Sequence, residues 1–147
     1  MEGILIREVC ADDFPVLYEF INALEEVCFD QSRQEKIFLK NLEKDHILYR
    51  VAIHSGEIVG FISCHIQDLL HHGGAIAEIM ELYVPDHYRN NGIGSQLISF
   101  IKPLLKARGV LQLEVTTNQR REDAHRFYER EQFVYTSKKF VQPLLQG

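Results

Sequence analysis

Apolar residues recur along the chain with two periods, near two and near 3.6, and the switches between them mark the elements. Residues 4–9, with Ile4, Leu5, Ile6 and Val9, read as a first strand. Asp12 is placed to cap a helix whose apolar residues Phe14, Leu17, Ile21, Leu24 and Cys28 follow at helical spacing. Ser32-Arg33-Gln34-Glu35 has the form of a capping box, so a second helix is predicted to about Glu43, with Ile37, Phe38 and Leu42 on its apolar face. Segments 47–53 and 57–65 read as a hairpin around His54-Ser55-Gly56. A further strand over 75–84 is bracketed by His71-His72-Gly73-Gly74 and by Pro85-Asp86, both turn-like.

Beyond a short loop, Leu97, Ile98, Ile101, Leu104 and Leu105 predict a helix from about Gly92, stopped by Gly109. Pro103 lies inside it. An interior proline removes one helical bond at a cost of about 3 kcal/mol, so a kink or a break is expected there. Segment 111–117 reads as a strand, 121–131 as a helix and 133–141 as a closing strand. The order β-α-α-β-β-β-α-β-α-β predicts an α/β (α+β) fold. No repeat, low-complexity tract or linker divides the chain, so 1–147 is expected to be one domain.

Composition narrows the functional classes. With 147 residues, 46% of them hydrophobic, the chain suits one buried core. A formal net charge of −5 argues against a nucleic-acid binder, whose affinity comes mostly from Lys and Arg on phosphates, and favours a small soluble ligand. No apolar run approaches membrane-spanning length, and residues 1–7, carrying Glu2 and Arg7, lack the basic and long apolar regions of a signal peptide. Cys10, Cys28 and Cys64 are an odd number without CxxC or zinc-ligand spacing, which fits a reduced cytoplasm. Cys28 and Cys64 lie among apolar residues and read as buried packing thiols.

Chemistry concentrates in residues 78–95, where a strand enters a loop containing Gly92 and Gly94 and the loop opens into a helix. Such a junction gathers unpaired amides at the positive end of a helix dipole, where a pyrophosphate is held most easily. Two nearby glycines at a helix start are also ordinary turn chemistry, and the segment is neither a Walker A loop nor GxGxxG. Its context adds information. Arg89-x-x-Gly92-x-Gly94 after an acidic and apolar strand, then Asn118 and Ala124-His125-Arg126-Phe127-Tyr128, resembles the two motifs of the GCN5-related N-acetyltransferase (GNAT) family.

That resemblance covers nearly the whole chain. It implies a mixed sheet of about six to seven strands, splayed between strands 4 and 5 and flanked by about four helices. It further implies acetyl-CoA as cosubstrate. Backbone groups of Leu82, Tyr83 and Val84 would pair with the pantetheine arm, while Arg89, Asn91, Gly92, Ile93, Gly94 and Ser95 surround the pyrophosphate and Asn118 faces the cofactor near the splay. Gln132 departs from the glycine common in relatives before an aromatic such as Phe133, which puts the turn after the last helix in question. More narrowly, Phe29-Asp30, Leu70-His71-His72, Glu78-Ile79-x-Glu81-Leu82 and residues 123–128 resemble the bacterial aminoalkylphosphonate N-acetyltransferases. This implies a small aminophosphonate acceptor and help from a divalent metal. Aminoglycosides and polyamines stay open as acceptors, as does a non-catalytic acyl-CoA-binding module.

The transfer itself demands certain groups. An alkylammonium must lose a proton before it attacks a thioester, so a base is needed. Glu78 and Glu81 are the strand candidates; strand side chains alternate, so the two are expected on opposite faces with at most one pointing at a given substrate, and Glu78 matches the family's glutamate. A carboxylate among such apolar neighbours has its pKa raised by desolvation. Tyr128 stands where the family places the acid that protonates the leaving thiolate, although an aromatic on a helix also serves packing. An amide near 82–84 would hold the oxyanion. His71 and His72 read as a solvated turn, or as metal or phosphonate contacts, with adjacent extended side chains pointing apart. Asn118-Gln119-Arg120-Arg121 offers charge to the CoA phosphates or a solvated helix entrance. The edge of the strand at 133–141 would be available for a homodimer.

Overall fold

Leu5–Glu8 (β1), Ile47–His54 (β2), Glu57–Leu69 (β3), Gly74–Tyr83 (β4) and Gln112–Val115 (β5) lie side by side in that order in one sheet. The computed structural model describes residues 1–117, 122–137 and 139–145. Neighbours from β1 to β4 are antiparallel, and β4 pairs with β5 in parallel. The hairpin between β2 and β3 turns where the pattern placed it, with Ser55 and Gly56 both at positive φ (49° and 80°) as a tight two-residue reversal requires. The chain forms two compact units, Met1–Thr116 and Thr117–Gly147.

Helices cover both faces of the sheet in the first unit. Phe14–Glu25 (α1) and Gln31–Leu42 (α2) bury Phe14, Leu17, Phe20 and Phe38 against Val51 and Phe61. Ile93–Ala107 (α3) buries Ile93, Leu97, Ile98, Ile101 and Leu105, and it approaches the opposite face at Gly60. A Cβ at Gly60 would stand 2.9 Å from Ile93 Cγ2 and 3.1 Å from Leu97 Cδ1, so the missing side chain sets how closely α3 lies on β3.

The helix starts differ from the sequence expectation in instructive ways. Asp13, not Asp12, organises the start of α1: its buried carboxylate accepts from Cys10 N–H at 2.9 Å and from the Arg7 guanidinium at 2.8 and 2.9 Å. A one-turn 3-10 helix at Ala11–Asp13 folds that carboxylate back, while Asp12 faces solvent. Similarly Asp30, not Ser32, caps α2, accepting from Arg33 N–H at 2.9 Å. The first helix ends at Glu25 because Glu26 turns left-handed at φ 55°, which leaves Cys28 beyond it and exposed rather than buried. Pro103 neither breaks nor divides α3. Pro103 and Ser99, whose carbonyl loses its helical donor, are both exposed, so water can serve the freed acceptor.

In the second unit, Glu122–Arg130 (α4) closes with Gln132 at φ 70°; Phe133 N–H returns to Tyr128 O at 2.9 Å and Gln132 N–H to Glu129 O at 3.0 Å. The turn usually built on glycine therefore forms with Gln132 in the left-handed position. The strand expected over 133–141 is not formed among the described residues, and the sheet has five strands there instead of six to seven. Alternation in that segment is interrupted by the polar run Thr136-Ser137-Lys138-Lys139, and a strand also needs a neighbour for its ladder bonds. The edge on which a homodimer was to pair is thus not formed among the described residues.

Candidate active site

Central strand β4 carries both acidic candidates, and a bulge decides where they point. Between β3 and β4, Cys64 faces Ile79 but the next pair is Ser63 with Glu81, so Met80 is an extra residue with no partner. One unmatched residue resets the alternation. Glu78 opposite His65 and Glu81 opposite Ser63 therefore share one face, where strict alternation would have separated them. It is the face that carries α1 and α2, since Tyr49 and Phe61 project from it toward them.

Glu81 is held firmly there. The hydroxyl of Ser63, itself fully buried, donates to Glu81 Oε1 and accepts from the Glu81 backbone N–H at 3.0 Å. Burial pushes the Glu81 carboxyl above the usual carboxylate range; the Ser63 hydrogen bond opposes that shift and the charge of Glu25 adds to it. The carboxyl lines a cavity of about 270 Å³ between α1, α2 and the sheet, with Met80, His65, Tyr18, Tyr49 and Asn41 around it. Asn41 Nδ2 donates to Tyr49 Oη at 2.9 Å and fixes that ring, while burial raises the phenol's pKa. His65 is shifted the other way, first by burial and then by the nearby charge of His46.

Glu78 marks the place where two strands part. Pairing between β4 and β5 runs from Ile76 opposite Gln112 to Ile79 opposite Val115 and stops, although β4 continues to Tyr83. Residues 81–83 thus keep β3 on one side, and residues 80–83 have no strand on the other among the described residues. This is the splay expected between strands 4 and 5. At its mouth, Thr116 Oγ1 donates to Glu78 Oε2 at 3.1 Å.

The loop after β4 is built to bare amides. A 3-10 turn at Asp86–Tyr88 leads to Asn90 and Gly92, both left-handed (φ 65° and 76°), and the first helical bond of α3 is Gln96 N–H to Gly92 O at 3.0 Å. The amides of Ile93 and Gly94 precede that donor and have no acceptor within the helix. Arg89 is braced by Nε to Val84 O at 3.0 Å and by an ion pair with Asp86 at 2.9 Å, over the Tyr83 ring at 5.9 Å. Asn91 Nδ2 ties back to Tyr88 O and Arg89 O at 3.0 and 3.2 Å.

Other candidates fall outside this constellation. Leu70–His72 is a 3-10 turn that sets the His71 and His72 rings 4.5 Å apart rather than on opposite sides, with His72 Nε2 3.9 Å from Glu114. Among the described residues no three His, Cys, Asp or Glu side chains converge to hold a metal. Tyr128 stands on α4 with its ring edge-on to Phe127 and Phe133 at 5.2 and 5.6 Å. Asn118, Gln119, Arg120 and Arg121 lie outside the described residues. Cys64 is fully buried and its thiol is pushed up to about 12 by burial, unfit for nucleophilic work. Ser63, Tyr49, Asn41 and Thr116 were not singled out by the sequence; only strand register, which no local motif encodes, brings them to the two carboxylates.

Comparison with known proteins follows the same direction. The family model described as Acetyltransferase (GNAT) family matches residues 14–133. An aminoalkylphosphonate N-acetyltransferase of Salmonella typhimurium is 36% identical over 139 residues, covering 95% of this chain and 90% of that protein. Among solved structures, a transcriptional regulator from Bacillus halodurans superposes with a TM-score of 0.87 at 23% identity, covering 96% of this chain and 99% of that one. An aminoglycoside antibiotic 6'-N-acetyltransferase from Acinetobacter baumannii reaches 0.85 at 13% identity, over 99% and 100% of the two chains. At such identities structural likeness speaks to fold. No helix among the described residues is long and apolar enough to cross a membrane.

Proposed function

The chain belongs to the GNAT acetyltransferase family and is an acetyl-CoA-dependent N-acetyltransferase; we propose that it acetylates the primary amine of a small aminoalkylphosphonate by direct transfer, in the cytoplasm. One observation carries the acceptor class: the 36% identity, over 95% of the chain, to a protein that acts on that class. A cavity of about 270 Å³ beside β4 supports an acceptor of small size. Both compact units are read as one catalytic domain, because the family match at 14–133 runs through both.

In this reading the bare amides of Ile93 and Gly94, with Arg89, Asn91, Gly92 and Ser95, receive the pyrophosphate. The free side of residues 80–83, continued by Val84, receives the pantetheine arm, and an amide there holds the oxyanion. Asn118 faces the cosubstrate by its motif position. Glu78 takes one proton from the acceptor ammonium, and the freed lone pair attacks the thioester carbon. The carbon–sulfur bond breaks and the thiolate takes its proton from Tyr128, assigned by motif position alone; the second N–H proton of the adduct returns to the tyrosinate through water, so the phenol is restored and the one net proton is that held by Glu78. A divalent ion that helps with the phosphonate is part of the family resemblance. His71 and His72 do not complete a donor set for it among the described residues, so no step runs through it. The test is thiol release with aminomethyl- and aminoethylphosphonate against an aminoglycoside and a polyamine, with and without chelator. Preference for the aminoglycoside or the polyamine would overturn the acceptor assignment.

A further inference from the structure

We infer that the Glu81–Ser63 pair is the seat of the acceptor's ammonium group, a binding role separate from proton removal at Glu78. The inference rests on the acetyl-transfer reading for its context but stands on four features of the cavity. First, Glu81 is the acidic residue of the lining, and no lining residue is Lys or Arg. Among the described residues no cationic side chain pairs with it either; its carboxyl has a hydroxyl partner in Ser63. A partly buried carboxylate without a countercharge is costly, and an incoming ammonium supplies that charge.

Second, the carboxyl is preorganised. Ser63 grips both its side chain and its backbone N–H, so one oxygen is occupied and the orientation is set. Third, the walls are aromatic, with Tyr18, Tyr49, Phe14, Phe38 and Phe61 around the space, and such faces attract an alkylammonium. Glu25 deepens the negative potential at Glu81 from α1. Fourth, the bulge at Met80 keeps Glu78 on the same face of β4, so one amine can be held by one carboxylate and deprotonated by the other. Once Glu78 has taken a proton, the neutral amine still donates an N–H to Glu81, which aims its lone pair. The site therefore selects a primary ammonium on a short chain.

The test is an NMR titration of the full chain, saturated with CoA, using n-propylamine at pH 7 and uncharged n-propanol as matched probes. Wild type should bind the amine more tightly than the alcohol, and Glu81→Gln should weaken the amine roughly 10- to 100-fold while leaving the alcohol unchanged. Ser63→Ala, a milder change, should weaken the amine severalfold, and Glu81→Asp should restore part of the loss. Coenzyme affinity, measured in the same samples, should hold. Equal loss of both probes, or an unchanged preference in Glu81→Gln, overturns the inference. If wild type fails to acetylate aminoethylphosphonate, the acceptor assignment falls and this titration still decides the ammonium seat.

Discussion

Glu78 and Glu81 stand on one face of β4, and the residue responsible is Met80, the unmatched member of the bulge between them. Two carboxylates three positions apart on a regular strand would be separated by the sheet. Here they lie on one face, one tied to Thr116 and one to Ser63.

Glu78→Gln should reduce kcat by about 10²- to 10⁴-fold, the usual contribution of a general base, with acetyl-CoA affinity nearly unchanged. Thr116→Ala, which removes the hydroxyl that holds Glu78, should produce a smaller loss in kcat, and Thr116→Ser should reverse it. Steady-state kinetics reads both. Wild-type rates in Glu78→Gln would remove this residue from the mechanism.

Two glycines near the start of α3 should fail in different ways. Gly92→Ala forces a left-handed conformation at φ 76° in open space, a strain of about 1–2 kcal/mol, so acetyl-CoA binding should weaken with modest loss of stability. Gly60→Ala collides with Ile93 and Leu97, so it should destabilise by about 1–3 kcal/mol, roughly 2–4 °C in Tm for each kcal/mol. Calorimetry and a coenzyme titration on each variant separate them.

Stability should respond to pH with opposite signs at two carboxyls. The Arg7 guanidinium, opposed by burial and helped by Cys10 N–H, holds Asp13 below the usual carboxylate range. Its contribution is present above the unfolded pKa and is lost as pH falls through the folded one. Asp13→Asn should flatten the acid limb of Tm against pH. It should cost on the order of 1 kcal/mol at neutral pH, allowing for the solvent exposure of Arg7. Glu81, raised mainly by burial, is the reverse: its favourable contribution is present below the unfolded pKa and disappears as pH rises through the folded value. Glu81→Gln should therefore raise Tm at pH 8 and change it little at pH 4. A uniform drop across pH would contradict that account.

Thiol labelling checks the burial pattern. Cys10 and Cys28 are exposed and should alkylate in the native protein, whereas Cys64, fully buried with its thiol pushed up to about 12, should react only after unfolding. Replacing Cys28 and Cys64 together should leave single-turnover acetyl transfer without a covalent enzyme intermediate. Isolation of an acyl-enzyme would refute direct transfer.

Local chemistry made much of this legible beforehand. The Ser55-Gly56 reversal, the Gly92 loop after β4 and the heptad-like apolar run of α3 each depend on residues close in the chain. What escaped depends on partners far away. Nothing near Met80 announces a bulge, because the mismatch exists only relative to Ser63 and Cys64 on β3. Asp12 and Asp13 are chemically alike, and the positions of Arg7 on β1 and of the Cys10 N–H distinguish them. Pro103 predicts a kink or a break from sequence because the fate of one carbonyl depends on whether it meets water or core. At 133–141 the apolar residues predict a strand, although a strand is a property of two paired segments rather than of one.

The early end of β5 leaves β4 with a row of peptide groups that solvent must serve whenever no ligand does. Coenzyme A carries amides of its own along the pantetheine arm, spaced for backbone-like pairing. Under the reading given above, loading the cosubstrate amounts to adding a missing edge to the sheet, so slowed amide exchange along residues 80–84 would register occupancy directly, before any acetyl group has moved.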